Sequence, residues 1–423
     1  MRILWVINTV LPVISESMGK VSGTDGGWLT GISNELTKDD DIKLIVCFPY
    51  TDGSVNGTVK NIKYYSFPRS GLYRYNKQVE DRLYNIIINE NPDVVHIFGT
   101  EFPHSLSAVN AAERCRILNK TVISIQGLVS VYAKHYFAGL PSGAIHKFSL
   151  RDLLKFDNIR GQKNKYIVRG KYEIEAIKKA KHIIGRTDWD KACVKAINPN
   201  AQYHFCNETL RKEFYEGKWE PEKCEKHSIF ISNSYYPIKG LHCVLEVMPQ
   251  ILKDFPDAKI YVPGQNPIES SGLKSFLHKT YYGIYLKKLI KRECLGSKIV
   301  FLGNLSAEKM RERMLKSNVF ILPSSIENSP NTLGEAMLLG VPCIAADVGG
   351  VRNMAIDKKE ALIYPFDENY ILPLYIDTVF NEKDFTAKMA ESGREHALKT
   401  HNREDNNRVL LNIYYNIAQK GKV

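Results

Sequence analysis

Two carboxylates eight residues apart, Glu327 and Glu335, bracket a polar stretch with the makings of an anion site. Val319–Leu322 reads as a buried strand, and Pro323–Asn331 as the polar loop leaving it. Thr332–Leu339 has the pattern of a helix, stopped by Gly340 and Pro342. A helix start offers backbone N–H groups and the positive end of the macrodipole, which together suit a phosphate. Asn331 or Thr332 is expected to cap this helix, and Ser329, Pro330, Asn331 and Thr332 are assigned to the bound anion. Glu335 falls in the first turn, where its two oxygens can accept both hydroxyls of a ribose. Glu327 stands at the strand exit, suited to sugar hydroxyls. A plainer reading exists for each: Thr332 and Glu335 fit a capping box, and Glu327 a solvated loop carboxylate.

Such a loop needs a strand before it and a helix after it, and the chain supplies that unit repeatedly. Strand candidates are Ile3–Ile7, Ile42–Phe48, Val94–Phe98, Thr121–Ile125, His182–Gly185, Ser228–Ser232, Lys259–Val262, Lys298–Leu302, Val319–Leu322 and Pro342–Ala346. Amphipathic stretches such as Gly27–Leu36, His242–Phe255 and Ala307–Leu315 lie between them. This alternation predicts an α/β protein with parallel sheets covered by helices on both faces. Ligands of such sheets bind beyond the carboxyl ends of the strands. The Lys- and Glu-rich segment 211–227, broken by Gly217 and Pro221, divides the chain. The expected parts are 1–210, the linker 211–227, 228–400, and a final helical segment 401–423 packing back towards the first part.

At 423 residues the chain exceeds one ordinary core. Its 44% hydrophobic and 25% charged residues are those of a folded, non-fibrous protein. Eight cysteines occur without a C-x-x-C pair or zinc spacing, so reduced thiols and a cytoplasmic location are expected. No run approaches the ~20 apolar residues of a membrane span. The net charge of +12 attracts anions of several kinds: phosphorylated ligands, lipid headgroups or nucleic acid. No DNA- or RNA-binding module is visible and the basic residues are dispersed, so nucleic acid is not an expected partner.

The run Glu327-Asn-Ser-Pro-Asn-Thr-Leu-Gly-Glu335 resembles the E-x7-E signature of retaining family-4 glycosyltransferases of the GT-B fold. The continuation Ala336-Met337-Leu338-Leu339-Gly340-Val341-Pro342 and the later Gly349-Gly350 are similar to that family too. The resemblance implies two Rossmann-like domains facing a central cleft, and transfer of a sugar from a nucleotide-sugar donor with retention. It implies no cofactor and no metal. Lys239, in Tyr236-Pro237-Ile238-Lys239-Gly240, is then expected to contact the donor diphosphate, where negative charge grows as the glycosidic bond breaks. Gly26 and Gly27, in Gly23-Thr24-Asp25-Gly26-Gly27-Trp28, resemble the family's glycine-rich loop at the donor phosphates. Gly303, after the Lys298–Leu302 strand candidate, joins the donor set.

Two positions depart from the family pattern. Ser234 stands where many members have an Arg, so a second cation for the diphosphate must come from elsewhere; Arg186 and Arg352 follow strand candidates and are the cleft candidates. Gln126 stands where many members have His or Asp facing the donor sugar, and Gln takes no proton. His135 lies nearby in sequence as a further cleft candidate. Basic residues interleaved with aromatics over Tyr132–Tyr172 and Lys274–Arg292 suit an anionic membrane face. The expected acceptor is a saccharide, free or carried on a polyprenyl diphosphate, as in bacterial surface-polysaccharide assembly (capsule or O-antigen) at the inner face of the cell membrane. A sugar-nucleotide epimerase of the same fold is the alternative, and a basic nucleic-acid-binding protein a more distant one.

Overall fold

The computed structural model describes residues 1–20, 27–69, 73–155, 158–232, 235–268 and 280–420. Two compact units form. Unit 1 takes Met1–Tyr132, Lys165–Arg211 and His401–Val423; unit 2 takes Ala133–Asn164 and Lys212–Thr400. Neither is a continuous stretch of chain, because segment 133–164 clusters with the later half and the last helix with the earlier one.

Unit 1 is built on eight strands: β1 (Arg2–Val6), β2 (Lys43–Tyr50), β3 (Asn56–Val59), β4 (Ile62–Pro68), β5 (Val94–Phe98), β6 (Thr121–Ser124), β7 (His182–Gly185) and β8 (Gln202–Phe205). Their order is β3-β4-β2-β1-β5-β6-β7-β8. All neighbours run parallel except β3 and β4, which form a hairpin. The hairpin turn is Lys60-Asn61, both at positive φ, the mirror-image turn that matches strand twist. β1, β5, β6 and β7 are almost wholly buried, as parallel strands sandwiched by helices must be.

One covering helix is Arg403–Lys420. Its Leu410, Ile413, Tyr414 and Ile417 are buried in the core that also holds Ile3 and Trp5 of β1. The Trp5 Nε1–H donates to the Tyr414 hydroxyl at 3.1 Å. The same hydroxyl lies 2.6 Å from His96 Nδ1, and His96 Nε2 lies 2.6 Å from Ser124 Oγ. Burial holds the His96 imidazole down to about 3, so this network is neutral.

Unit 2 carries six parallel strands: β9 (Ser228–Ile231), β10 (Lys259–Pro263), β11 (Ile299–Gly303), β12 (Val319–Leu322), β13 (Cys343–Ala346) and β14 (Leu362–Tyr364). The order is β11-β10-β9-β12-β13-β14. After β9 the chain builds outward to β11, then returns to place β12 on the other side of β9. The two strands therefore diverge into separate connections, and a crevice opens beyond their carboxyl ends. Both units are parallel-sheet, Rossmann-like domains, the α/β architecture expected. Among the described residues no helix is long and apolar enough to cross a membrane.

Candidate functional site

The loops leaving β9 and β12 meet at that crevice in unit 2. Lys239 ends a short turn, Pro237–Lys239, and Gly240 follows at φ +73°. A Cβ on Gly240 would stand 1.7 Å from the Pro323 carbonyl oxygen, so only glycine lets the two loops touch. Ser325 N–H donates to the Ile238 carbonyl at 2.9 Å, stapling the loops together. The result is an ion pair: Lys239 Nζ lies 2.6 Å from Glu327 Oε1. Glu327 is buried, and Lys239 reaches solvent in part.

The backbone of Glu327 is held from the far side. Gly349, in the loop after β13, sits at φ +53°, and a Cβ there would stand 1.8 Å from the Glu327 carbonyl oxygen. Gly350 N–H donates to that carbonyl at 3.2 Å. The diglycine thus fixes the carboxylate-bearing loop.

The helix Asn331–Leu339 begins one residue earlier than expected, with Pro330 at the N-cap and no side-chain cap bond. Neither Asn331 nor Thr332 occupies the cap, because Asn331 and Thr332 already lie inside the helix. The capping-box reading of Thr332 and Glu335 therefore loses its geometry. Thr332 Oγ1 contacts Ser232 Oγ at 3.4 Å instead, reaching the end of β9. Glu335 is buried one turn into the helix. Ser329 Oγ reaches Met354 Sδ at 3.6 Å.

The remaining expected residues distribute as follows. The carbonyl of His135, in unit 2, accepts from Ser325 Oγ at 3.2 Å, two residues from Glu327. Burial and Lys134 lower the His135 imidazole. Arg352 forks onto Asp347, with Nε at 2.9 and 2.8 Å and Nη2 at 2.6 Å from its oxygens. Gly303 ends β11, two strands from β9, and its carbonyl accepts from Gly264 N–H at 2.8 Å. Gly27 opens the helix Gly27–Leu36, while Gly26 and Ser234 lie outside the described residues.

Gln126 and Arg186 belong to unit 1. Gln126 Nε2–H donates to Glu208 Oε1, and Arg186 Nη1 pairs with Glu208 Oε2 at 2.6 Å. Beside this triad, at the carboxyl ends of the unit 1 strands, is a cavity of about 510 Å³. Asn8, Thr9, Trp28, Arg69, Glu101 and Gln126 line it. Burial pushes the Glu101 carboxyl up to about 6. Sequence reasoning passed over Glu101, although its place directly after β5 was the available signal. Among the described residues no group of three or more His, Cys, Asp or Glu stands where it could hold a metal.

Residues 213–396 match the family model of glycosyl transferases, group 1. The Lys239–Glu327 crevice and the Asn331–Leu339 helix both fall inside this group 1 region. An uncharacterized glycosyltransferase of Bacillus subtilis (strain 168), YqgM, is 22% identical over 47% of this chain and 51% of its own length. The gpi3 subunit of phosphatidylinositol N-acetylglucosaminyltransferase from Schizosaccharomyces pombe is 23% identical over 64% of this chain and 50% of its own. The chain thus spans about half the length of these curated relatives. Among solved structures, sucrose-phosphate synthase from Thermosynechococcus elongatus superposes with a TM-score of 0.72 at 14% identity, covering 99% of each chain. Anabaena HepE in complex with UDP-glucose gives 0.67 at 15% identity, covering 98% of this chain and 99% of that one. These likenesses speak to the fold, which is that of GT-B glycosyltransferases.

Proposed function

We propose that the protein is a retaining glycosyltransferase that moves a sugar from a nucleotide-sugar donor bound in unit 2. The observation that carries this reading is the Lys239–Glu327 pair at the switch point of the unit 2 sheet, beside a helix start whose N-cap makes no side-chain bond. A donor diphosphate entering there exchanges the Glu327 carboxylate for phosphate oxygens at Lys239. Glu327 is then released to hold a hydroxyl of the donor sugar, and Glu335 takes the ribose. The amide groups at the Asn331 helix start add a dipole aimed at the same anion.

The chemistry is displacement on one face of the sugar. The bond from C1 to the donor phosphate oxygen breaks as the bond from the acceptor oxygen to C1 forms. The acceptor proton passes to the departing phosphate oxygen, so no side-chain base is needed and Gln126 is compatible. Lys239 stabilises the leaving diphosphate, and the loops supply orientation. No metal or cofactor is assigned. The acceptor belongs to the cavity of unit 1, whose Asn8, Gln126 and Glu101 suit a polyhydroxylated molecule; a saccharide, free or lipid-linked, fits polysaccharide or glycolipid assembly.

Thermal shift with UDP-, GDP-, ADP- and dTDP-sugars tests the donor class, since a bound donor raises the unfolding temperature by mass action. With the stabilising donor, Lys239→Ala and Glu327→Ala should each lower transfer on the order of 10²–10³-fold while the unliganded chain still folds. The product anomer, read by proton NMR, should match the donor. Full activity in both variants, or inversion, sinks the reading.

A further inference from the structure

Segment 148–154 of unit 2 is built inside out. Phe148, Leu150, Leu153 and Leu154 are 55%, 53%, 50% and 66% exposed, while the residues it buries are Ser149 and Asp152. The cause is visible in the hydrogen bonds. Ser149 Oγ accepts from Asp152 N–H at 3.1 Å and the Asp152 carboxylate accepts from Ser149 N–H at 3.0 Å, a reciprocal cap on the helix Leu150–Lys155. The same carboxylate oxygen accepts from Tyr281 N–H at 2.8 Å, the first residue of the helix Tyr281–Arg292. Asp152 is thereby fixed inward, and the leucines flanking it are turned out.

Four large apolar side chains within seven residues are costly to leave in water unless something covers them. The surrounding charge identifies what. Lys147 and Lys155 are exposed at either end of the segment. The helix that Asp152 grips exposes Lys287, Lys288, Lys291 and Arg292. A second copy would bring the same cations against these, which disfavours self-association. Apolar tips with lysines at their margins are the pattern of a segment that enters the headgroup region of a bilayer with anionic lipid. We propose that Phe148, Leu150, Leu153 and Leu154 insert into an anionic membrane leaflet, with Lys147, Lys155 and the basic face of Tyr281–Arg292 resting on its headgroups. This deepens the proposed function by giving a lipid-linked acceptor a surface at which to meet the enzyme.

The test is co-sedimentation of the full chain with phosphatidylglycerol/phosphatidylcholine vesicles and with phosphatidylcholine alone, needing neither donor nor catalysis. Binding should require phosphatidylglycerol and weaken with salt. Leu153→Ser with Leu154→Ser should reduce it at least tenfold without lowering the unfolding temperature, since both side chains already face solvent. Equal binding by wild type and variant, or none by wild type, overturns the proposal. So does salt-sensitive binding to an oligonucleotide in place of vesicles, or a dimer that the same substitutions dissolve. The sugar-transfer reading is judged separately, by the donor shift.

Discussion

At the scale of single residues, the position of Glu327 depends on two glycines, Gly240 and Gly349. Gly240 admits the Pro323 carbonyl and Gly349 admits that of Glu327, each closer than any Cβ allows. Gly349→Ala must therefore push the Glu327 backbone aside. A displacement of that kind should lower the transfer rate on the order of 10²-fold. Gly53, also at positive φ but with open space around it, is the control: Gly53→Ala should cost about 1–2 kcal/mol from backbone strain and leave the rate intact. Matched kcat and unfolding temperatures for the two variants decide it, and equal rate losses would count against the buttress. Glu327 stood out in sequence at a strand exit, Glu335 in the helix that follows, and Lys239 through the family resemblance. The glycine contacts did not, because they arise only when loops distant in sequence, Gly240 with Pro323 and Gly349 with Glu327, are folded together. The Asn331 cap failed for a local reason: the helix starts at Asn331 itself, so that residue lies inside the first turn.

At the scale of elements, most of the strands that could be read are runs of buried apolar residues. Continuous apolar runs such as Ile3–Val6 and Val319–Leu322 announce themselves. β3, β4, β8 and the three-residue β14 went unread. β8 is Gln-Tyr-His-Phe with both ends exposed, and β3 begins Asn-Gly; such edge strands are specified by the neighbour they pair with. The His96 network ties the last helix to the centre of this sheet and makes a pH-dependent element. His96 stays neutral when folded, with its value down at about 3, whereas an unfolded histidine titrates near 6.5. The unfolded chain thus binds the extra proton, and the stability due to this group is complete above about pH 6.5 and drains as pH falls towards 3. The stability difference between wild type and His96→Gln should shrink by about 1.5 kcal/mol between pH 6.5 and 5. Denaturant melts at the two pH values measure it, and a difference that does not move with pH would contradict the assignment.

At the scale of the molecule, each unit borrows chain from the other half. The two Rossmann-like domains were legible from the alternation of apolar runs and helical stretches. That segment 133–164 clusters with unit 2 was not, because it depends on contacts such as Asp152 with Tyr281, 129 residues away. Removing residues 401–423 should unfold unit 1 rather than trim it. Leu410, Ile413, Tyr414 and Ile417 leave its core together, and losing one large core side chain costs about 2–5 kcal/mol. The sum reaches the roughly 5–15 kcal/mol that holds a domain folded. Limited proteolysis should then cut the unit 1 sheet while sparing β9–β14; protection of both would refute this.

The helix Arg403–Lys420 also sets an order of events during synthesis. A domain usually closes as soon as its own residues leave the ribosome, earlier parts first. Here the strand that opens unit 1, β1, waits for Tyr414 to arrive before Trp5 and His96 find their shared hydroxyl. Unit 2 draws nothing from beyond Thr400 and has its full complement of chain sooner. The half translated second therefore has all of its residues before the half translated first does.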